Sequence, residues 1–327
     1  MSPTGRRSLQ ARLLAPLIRL TVRPGLARAR DPERERRRFL RSVRWLLPDP
    51  RGARFETVRI AGLPAVWATP RGGGAKGETS GVILYLHGGA FVLGSPRTHR
   101  ALAARLAGAA GLRALIPHYR RPPEHPFPAA LEDAIAVYAA LIEQGQHPGR
   151  LALAGDSSGG ALMLALTAEV DRRGWPMPAA LVGFSPLVDL TFSGASWQEN
   201  RRRDPMLPAE RGPDMAAMWL QGADPADPRA SPLFAAWSRP PPALLFAAES
   251  ELLRDDAIRM AARLRAAGGR AEARIGPDLP HVWPFLCPWL PEGCATIAEA
   301  GTFLAACLGP DRPGLQPAEE PGAPTSR

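Results

Sequence analysis

The chain has 327 residues, 45% of them hydrophobic, and a formal net charge of +10. That composition supplies a large core and excludes an intrinsically disordered chain. The charge is unevenly placed, with 15 arginines against four acidic residues in 1–54 and a nearly balanced remainder, so the basic excess belongs to one arm.

Residues 6–47 read as helical, with Leu9, Leu13, Leu14, Leu17 and Leu20 on one face and arginines on the other. A second segment opens at Asp31-Pro32-Glu33, where Asp31 can cap and Pro32 suits the first helical position. The arm (1–50) is expected to lay its leucine face over the body as part of a lid. A peripheral membrane contact is the alternative. Sparse aromatics, Phe39 and Trp45, argue against nucleic acid. The Leu13–Val22 run is broken by Pro16 and Arg19, with no cleavage site after it. Neither a secretory signal nor a membrane span is therefore read, and a cytoplasmic location is expected.

Alternation at Phe55–Ile60 and Ala65–Ala68 around Gly62-Leu63-Pro64 predicts a hairpin. A glycine-rich loop (71–81) precedes the apolar run Val82–Leu86, which reads as a buried strand. Helix (97–110), strand (112–116), helix (128–144), strand (150–154), helix (158–172) and strand (180–184) follow. About 45 residues then lack a strand signal, and 190–232 is expected to be a helical insertion completing the lid. Strand (240–247), helix (255–267), strand (270–275) and helix (295–307) close a body spanning 51–308. The Pro/Gly/Glu-rich tail 309–327 is expected to be disordered. The alternation predicts an α/β fold with a mostly parallel eight-stranded sheet, helices on both faces and a helical lid. Cys287, Cys294 and Cys307 show neither C-x-x-C spacing nor a histidine partner. They are expected to be small buried hydrophobes, with no disulfide, metal or cofactor.

Chemistry enters at Gly155-Asp156-Ser157-Ser158-Gly159-Gly160, between an apolar run and an apolar helix. Gly155, Ser157 and Gly159 fit G-x-S-x-G, in which small neighbours let the chain turn sharply and present the serine hydroxyl at a strand-to-helix corner. A nucleophilic serine needs a base, a group orienting that base, and donors for an oxyanion. In an open parallel sheet all of these come from the carboxyl ends of strands. His281 follows a predicted strand and the turn Gly276–Pro280, and is the candidate base. The other five histidines lie beside helices, in proline-rich loops or, as His87, where a loop-shaping role fits. The orienting carboxylate should follow the preceding strand, where Glu249, Glu251, Asp255 and Asp256 are all available. His87-Gly88-Gly89-Ala90-Phe91 follows the Val82–Leu86 strand and offers the amides of Gly88, Gly89 and Ala90, to be joined by that of Ser158.

With Tyr119-Arg120, Pro123–Leu131 and His281-Val282, these motifs resemble the bacterial hormone-sensitive-lipase-like esterases of the α/β-hydrolase fold. The resemblance runs from about residue 55 to 308. Ser185–Thr191, Ser231–Phe234, Glu251–Asp256 and His281–Trp283 are most similar to the monoterpene ε-lactone hydrolase branch. The resemblance implies Ser157 as nucleophile, His281 as base and Gly89, Ala90 and Ser158 as oxyanion amides. The acid, usually Asp in D-P-L-x-D, falls on Glu251, with Asp255 second. Ala90 replaces the third glycine of H-G-G-G, and Arg121-Pro122 replaces the usual Leu-Ala.

The expected reaction is hydrolysis of short- to medium-chain esters or lactones through an acyl-enzyme. Acyl transfer or amide deacetylation by the same groups, and a non-catalytic binder, are the alternatives. Phe91, Phe192, Trp197, Met206, Met218 and Trp219 are expected pocket walls. The expected partner is a small ester or lactone, and the chain admits a homodimer.

Overall fold

The computed structural model describes residues 7–72 and 81–309. Most of the predicted 71–81 loop, and the 309–327 tail beyond Gly309, lie outside the described residues.

Eight strands form one sheet. They are β1 (Arg54–Ile60), β2 (Leu63–Thr69), β3 (Val82–Leu86), β4 (Arg113–Pro117), β5 (Leu151–Asp156), β6 (Ala180–Phe184), β7 (Ala243–Ala248) and β8 (Ala271–Gly276). Their order is β1-β2-β4-β3-β5-β6-β7-β8, and only β2 runs antiparallel to its neighbours. The hairpin turns on Ala61 and Gly62, both left-handed, and Ile60 pairs with Leu63. The turn is therefore a tight two-residue one, and Leu63-Pro64 begins β2 rather than lying in the loop.

The central strands alternate strictly between two apolar layers. Leu84, Leu153 and Leu245 face one side, and Tyr85, Ala154 and Phe246 face the other. Strands buried on both faces need apolar residues at every position, which is why each reads as a continuous run. Helices α5 (Ala129–Glu143), α6 (Ser158–Arg172) and α9 (Arg254–Ala266) share the first layer, while α4 (Pro96–Ala110) and α10 (Pro291–Leu308) share the second. Helix α4 opens with a Ser95–Thr98 capping box.

The arm is three helices, α1 (Leu9–Thr21), α2 (Arg23–Arg28) and α3 (Pro32–Leu46). Asp31 caps α3 through the amides of Glu33 and Arg34. The expected leucine contact is largely reversed: α1 packs Ala11, Leu14 and Ile18 inward, while Leu9, Leu13, Leu17 and Leu20 face solvent. Arginine side chains dock the arm instead. Arg19 donates to the carbonyls of Arg202 and Arg203, and Arg36 to Val92 O, Pro122 O and the Glu124 carboxylate. The insertion is mostly irregular, holding only α7 (Ser196–Glu199), α8 (Gly212–Leu220) and single 3-10 turns. Cys287 and Cys294 are joined in a disulfide, contrary to expectation. The seven-residue step into α10 brings their Cα atoms to 5.1 Å, a proximity that spacing alone did not signal. Cys307 is buried in α10, as expected.

Candidate active site

Five loops meet at the carboxyl edge of the sheet, after β3, β5, β6, β7 and β8. Ser157 sits between β5 and α6 with φ +51° and ψ −124°, a conformation that costs a non-glycine residue about 1–3 kcal/mol. The corner is over-determined. Ser157 N–H donates to Phe184 O at 2.9 Å, and Leu187 N–H donates to Ser157 O at 3.1 Å. A Cβ on Gly155 would lie 2.4 Å from Gly159 O, and one on Gly159 only 2.1 Å from Leu86 O. The motif glycines are thus demanded by close backbone approach.

Asp156 and Ser158 fasten the β3 loop onto this corner. Asp156 accepts from Tyr85 OH at 2.7 Å and from Gly88 N–H at 3.1 Å, with His99 Nε2 at 3.4 Å. Burial pushes the Asp156 carboxyl up, but these partners outweigh it and hold it below its ordinary value. Ser158 Oγ accepts from Phe91 N–H at 2.9 Å. His87 stacks on Tyr119, with ring centroids 4.2 Å apart, and Tyr119 OH donates to His87 O at 2.5 Å. Burial drives the His87 ring well below its usual pKa, toward the neutral form, as suits a group that shapes a loop.

Gly89, Ala90 and Phe91 all adopt positive φ. Because Gly88 spends its amide on Asp156, it leaves the expected set of oxyanion donors. Among the described residues, the amides of Gly89, Ala90 and Ser158 have no intramolecular acceptor.

On the opposite side, His281 Nδ1 and Glu251 Oε2 lie 3.0 Å apart, both buried. Glu251 Oε1 accepts from Ser185 Oγ at 2.9 Å and from Ala248 N–H at 3.0 Å. Ser185 Oγ in turn accepts from Val282 N–H at 3.1 Å, so one hydroxyl ties Glu251 to the residue after His281. Burial disfavours the charged imidazole, but Glu251, then Asp204 and Asp156, raise the His281 pKa above its ordinary value. No hydrogen bond joins Ser157 Oγ to His281 among the described residues; such bonds commonly tighten only when substrate binds.

Asp255 accepts from Ser196 N–H and Arg254, and Asp256 from the amides of Val188 and Asp189. Burial raises Asp256 to about 8. Neither carboxylate is hydrogen-bonded to His281, whereas Glu251 is.

Sequence reasoning did not find the support drawn from the insertion. Asn200 Nδ2 donates to the carbonyls of Glu249 and Glu251, at 2.9 and 2.7 Å. Asp204, fully buried, accepts from the amides of Met206, Leu207 and Leu252. Asn and Asp in an irregular stretch carry no periodic signal that could have singled them out.

The expected pocket walls form two separate clusters. Phe91 stacks on Trp219 at 4.1 Å, with Phe127 edge-on to the indole, while Phe192 stacks on Trp197 at 4.1 Å. Met206 and Met218 are half-buried in the insertion, in neither stack. A cavity of about 350 Å³ opens elsewhere, between α1 and residues 202–205, lined by Arg7, Arg19, Arg202, Arg203 and Ser250.

A doubly covered, mostly parallel sheet with a strained serine after β5, a buried Glu–His pair after β7 and β8 and free amides after β3 defines an α/β-hydrolase-type protein. Residues 83–285 match the family model described as the alpha/beta hydrolase fold, and the chain belongs to that family. It is 42% identical to an acetyl-hydrolase of Streptomyces hygroscopicus, over 78% of this chain and 83% of the relative. Against an esterase of Acinetobacter venetianus the identity is 32%, over 80% of this chain and 85% of that one. Among solved structures, an esterase from the bacterial hormone-sensitive lipase family superposes with a TM-score of 0.86 at 37% identity. That match covers 93% of this chain and all of the other.

Proposed function

We propose that the protein is a serine carboxylester hydrolase acting on short- to medium-chain esters or lactones through an acyl-enzyme. The observation that carries this reading is the buried 3.0 Å His281–Glu251 pair at the same carboxyl edge of the sheet as the Ser157 corner. In the proposed mechanism Ser157 Oγ attacks the ester carbonyl as His281 Nε2 takes its proton. Glu251 holds the ring by Nδ1 and stabilises the imidazolium. The oxyanion is received by the amides of Gly89, Ala90 and Ser158. His281 returns the proton to the leaving alcohol, then activates water to release the acid.

We assign a modest acyl group on the strength of the paired aromatics, Phe91 with Trp219 and Phe192 with Trp197, that the β3 loop and the insertion contribute. The Streptomyces and Acinetobacter relatives, an acetyl-hydrolase and an esterase, favour the same class. The test is a p-nitrophenyl ester series from acetate to decanoate, followed by lactones. Turnover that peaks at short chains and is abolished in Ser157→Ala supports the proposal. Fluorophosphonate labelling of Ser157 without ester turnover would shift the reading to amide cleavage or acyl transfer.

A further inference from the structure

Helix α1 is apolar on two opposite faces, and only one is covered. Ala11 and Ile18 are buried, while Leu9, Leu13, Leu17 and Leu20, at steps of four, four and three, are 54–76% exposed. That spacing lines the four leucines in a single stripe. Trp45 (85% exposed) and Leu46 close α3, and Trp289 (60% exposed) precedes α10. Hydrogen bonds bring these pieces to one corner: Ser8 binds the Glu292 carboxylate, and Trp289 Nε1 donates to Leu46 O at 2.5 Å. Eight of the ten large hydrophobic side chains exposed among the described residues therefore belong to the arm and this corner. Isolated exposed leucines need no explanation, but a contiguous group does.

The charge of the same arm says what covers it. The outward face of α3 carries Arg34, Arg37, Arg38, Arg41 and Arg44, all exposed, beside Trp45. Among the described residues, only Arg37 and Arg38 of these five have nearby acidic partners, Glu33 and Glu35. Exposed Arg12 lies next to the leucine stripe on α1. A second copy of the chain would bring this cationic surface against itself. An anionic lipid surface would instead accept leucines below the headgroups, tryptophans at their level and arginines among the phosphates.

We propose that the arm is a peripheral docking surface for bilayers containing anionic phospholipid, with the Leu9–Leu20 stripe as the inserted element. The assignment does not depend on the reaction the site performs. It also gives the arm two opposed jobs: its inner arginines grip the insertion and the β3 loop, and its outer face holds lipid.

The test is co-sedimentation of the full chain with vesicles of phosphatidylglycerol and phosphatidylcholine in equal parts, against phosphatidylcholine alone. Binding to the anionic vesicles is expected, weakened at least about tenfold when salt is raised from about 0.05 M to about 0.5 M. Leu13→Gln, Leu17→Gln and Leu20→Gln combined should lower it at least about tenfold. The melting temperature should stay unchanged, because these side chains touch solvent. No binding to anionic vesicles overturns the proposal, as does binding that the triple variant leaves intact. A dimer seen by sedimentation velocity and dissolved by the same substitutions would overturn it in favour of a second copy.

Discussion

The two halves of the candidate site are built by different means. The Ser157 corner is a backbone construction, in which glycines permit contacts near 2 Å from where a Cβ would stand and main-chain hydrogen bonds lock the turn. The His281–Glu251 half is a side-chain construction, in which Ser185, Asn200 and Asp204 reach in from β6 and the insertion to set the acid and its loop. Backbone constructions fail abruptly when a methyl group is added, because nothing nearby can give way. Side-chain constructions degrade by steps, and their defects appear in titration before they appear in folding.

Five substitutions sharpen this contrast. Gly159→Ala should be the most damaging, since its Cβ meets the Leu86 carbonyl at 2.1 Å. Loss of more than about 4 kcal/mol, or no soluble protein, is expected in chemical denaturation. Ser157→Ala should leave the melting temperature nearly unchanged, because Ser157 Oγ makes no hydrogen bond among the described residues and alanine keeps the same backbone conformation. Its kcat for p-nitrophenyl butyrate should fall about 10⁴-fold or more. Glu251→Gln should cost about 10²–10⁴ in kcat, while Asp255→Asn, which lies off His281, should stay within a few-fold of the parent. Equal effects of these two would break the assignment of the acid.

Asp204→Asn should act more gently on activity than Glu251→Gln and most clearly on pH. His281 must be neutral to accept a proton, and its neighbours hold its pKa above the ordinary value. The kcat/KM profile should therefore fall as pH drops through a midpoint above that of a free histidine. Removing the Asp204 charge should move the midpoint to lower pH, with about 1–3 kcal/mol of stability lost from its amide contacts. An unmoved midpoint would reduce Asp204 to a cap for the 204–207 turn.

The same division decides what could be read from the chain alone. Buried parallel strands, the G-x-S-x-G corner and the His-Gly-Gly loop impose local composition, so the order of elements and the placing of Ser157 and His281 at strand ends were legible. Choosing Glu251 over Asp255 was not settled by spacing. It depends on β7 ending at Ala248 and on Asp255 already being occupied by the Ser196 amide and Arg254. Gly88 was misjudged because its amide is consumed by a carboxylate 68 positions away. The arm's leucine face was misjudged for a related reason. Amphipathicity identifies an apolar stripe but not which of two stripes finds a partner, and here guanidinium-to-carbonyl contacts fix the orientation.

Asn200 and Asp204 belong to the segment expected to cover substrate, yet their hydrogen bonds end on Glu249, Glu251 and Leu252. The part of the molecule most open to redesign is therefore spliced to the part that sets the base. Exchanging residues 190–232 for those of a relative would alter substrate choice and proton chemistry together, unless the graft brings its own amide and carboxylate to the same three backbone positions.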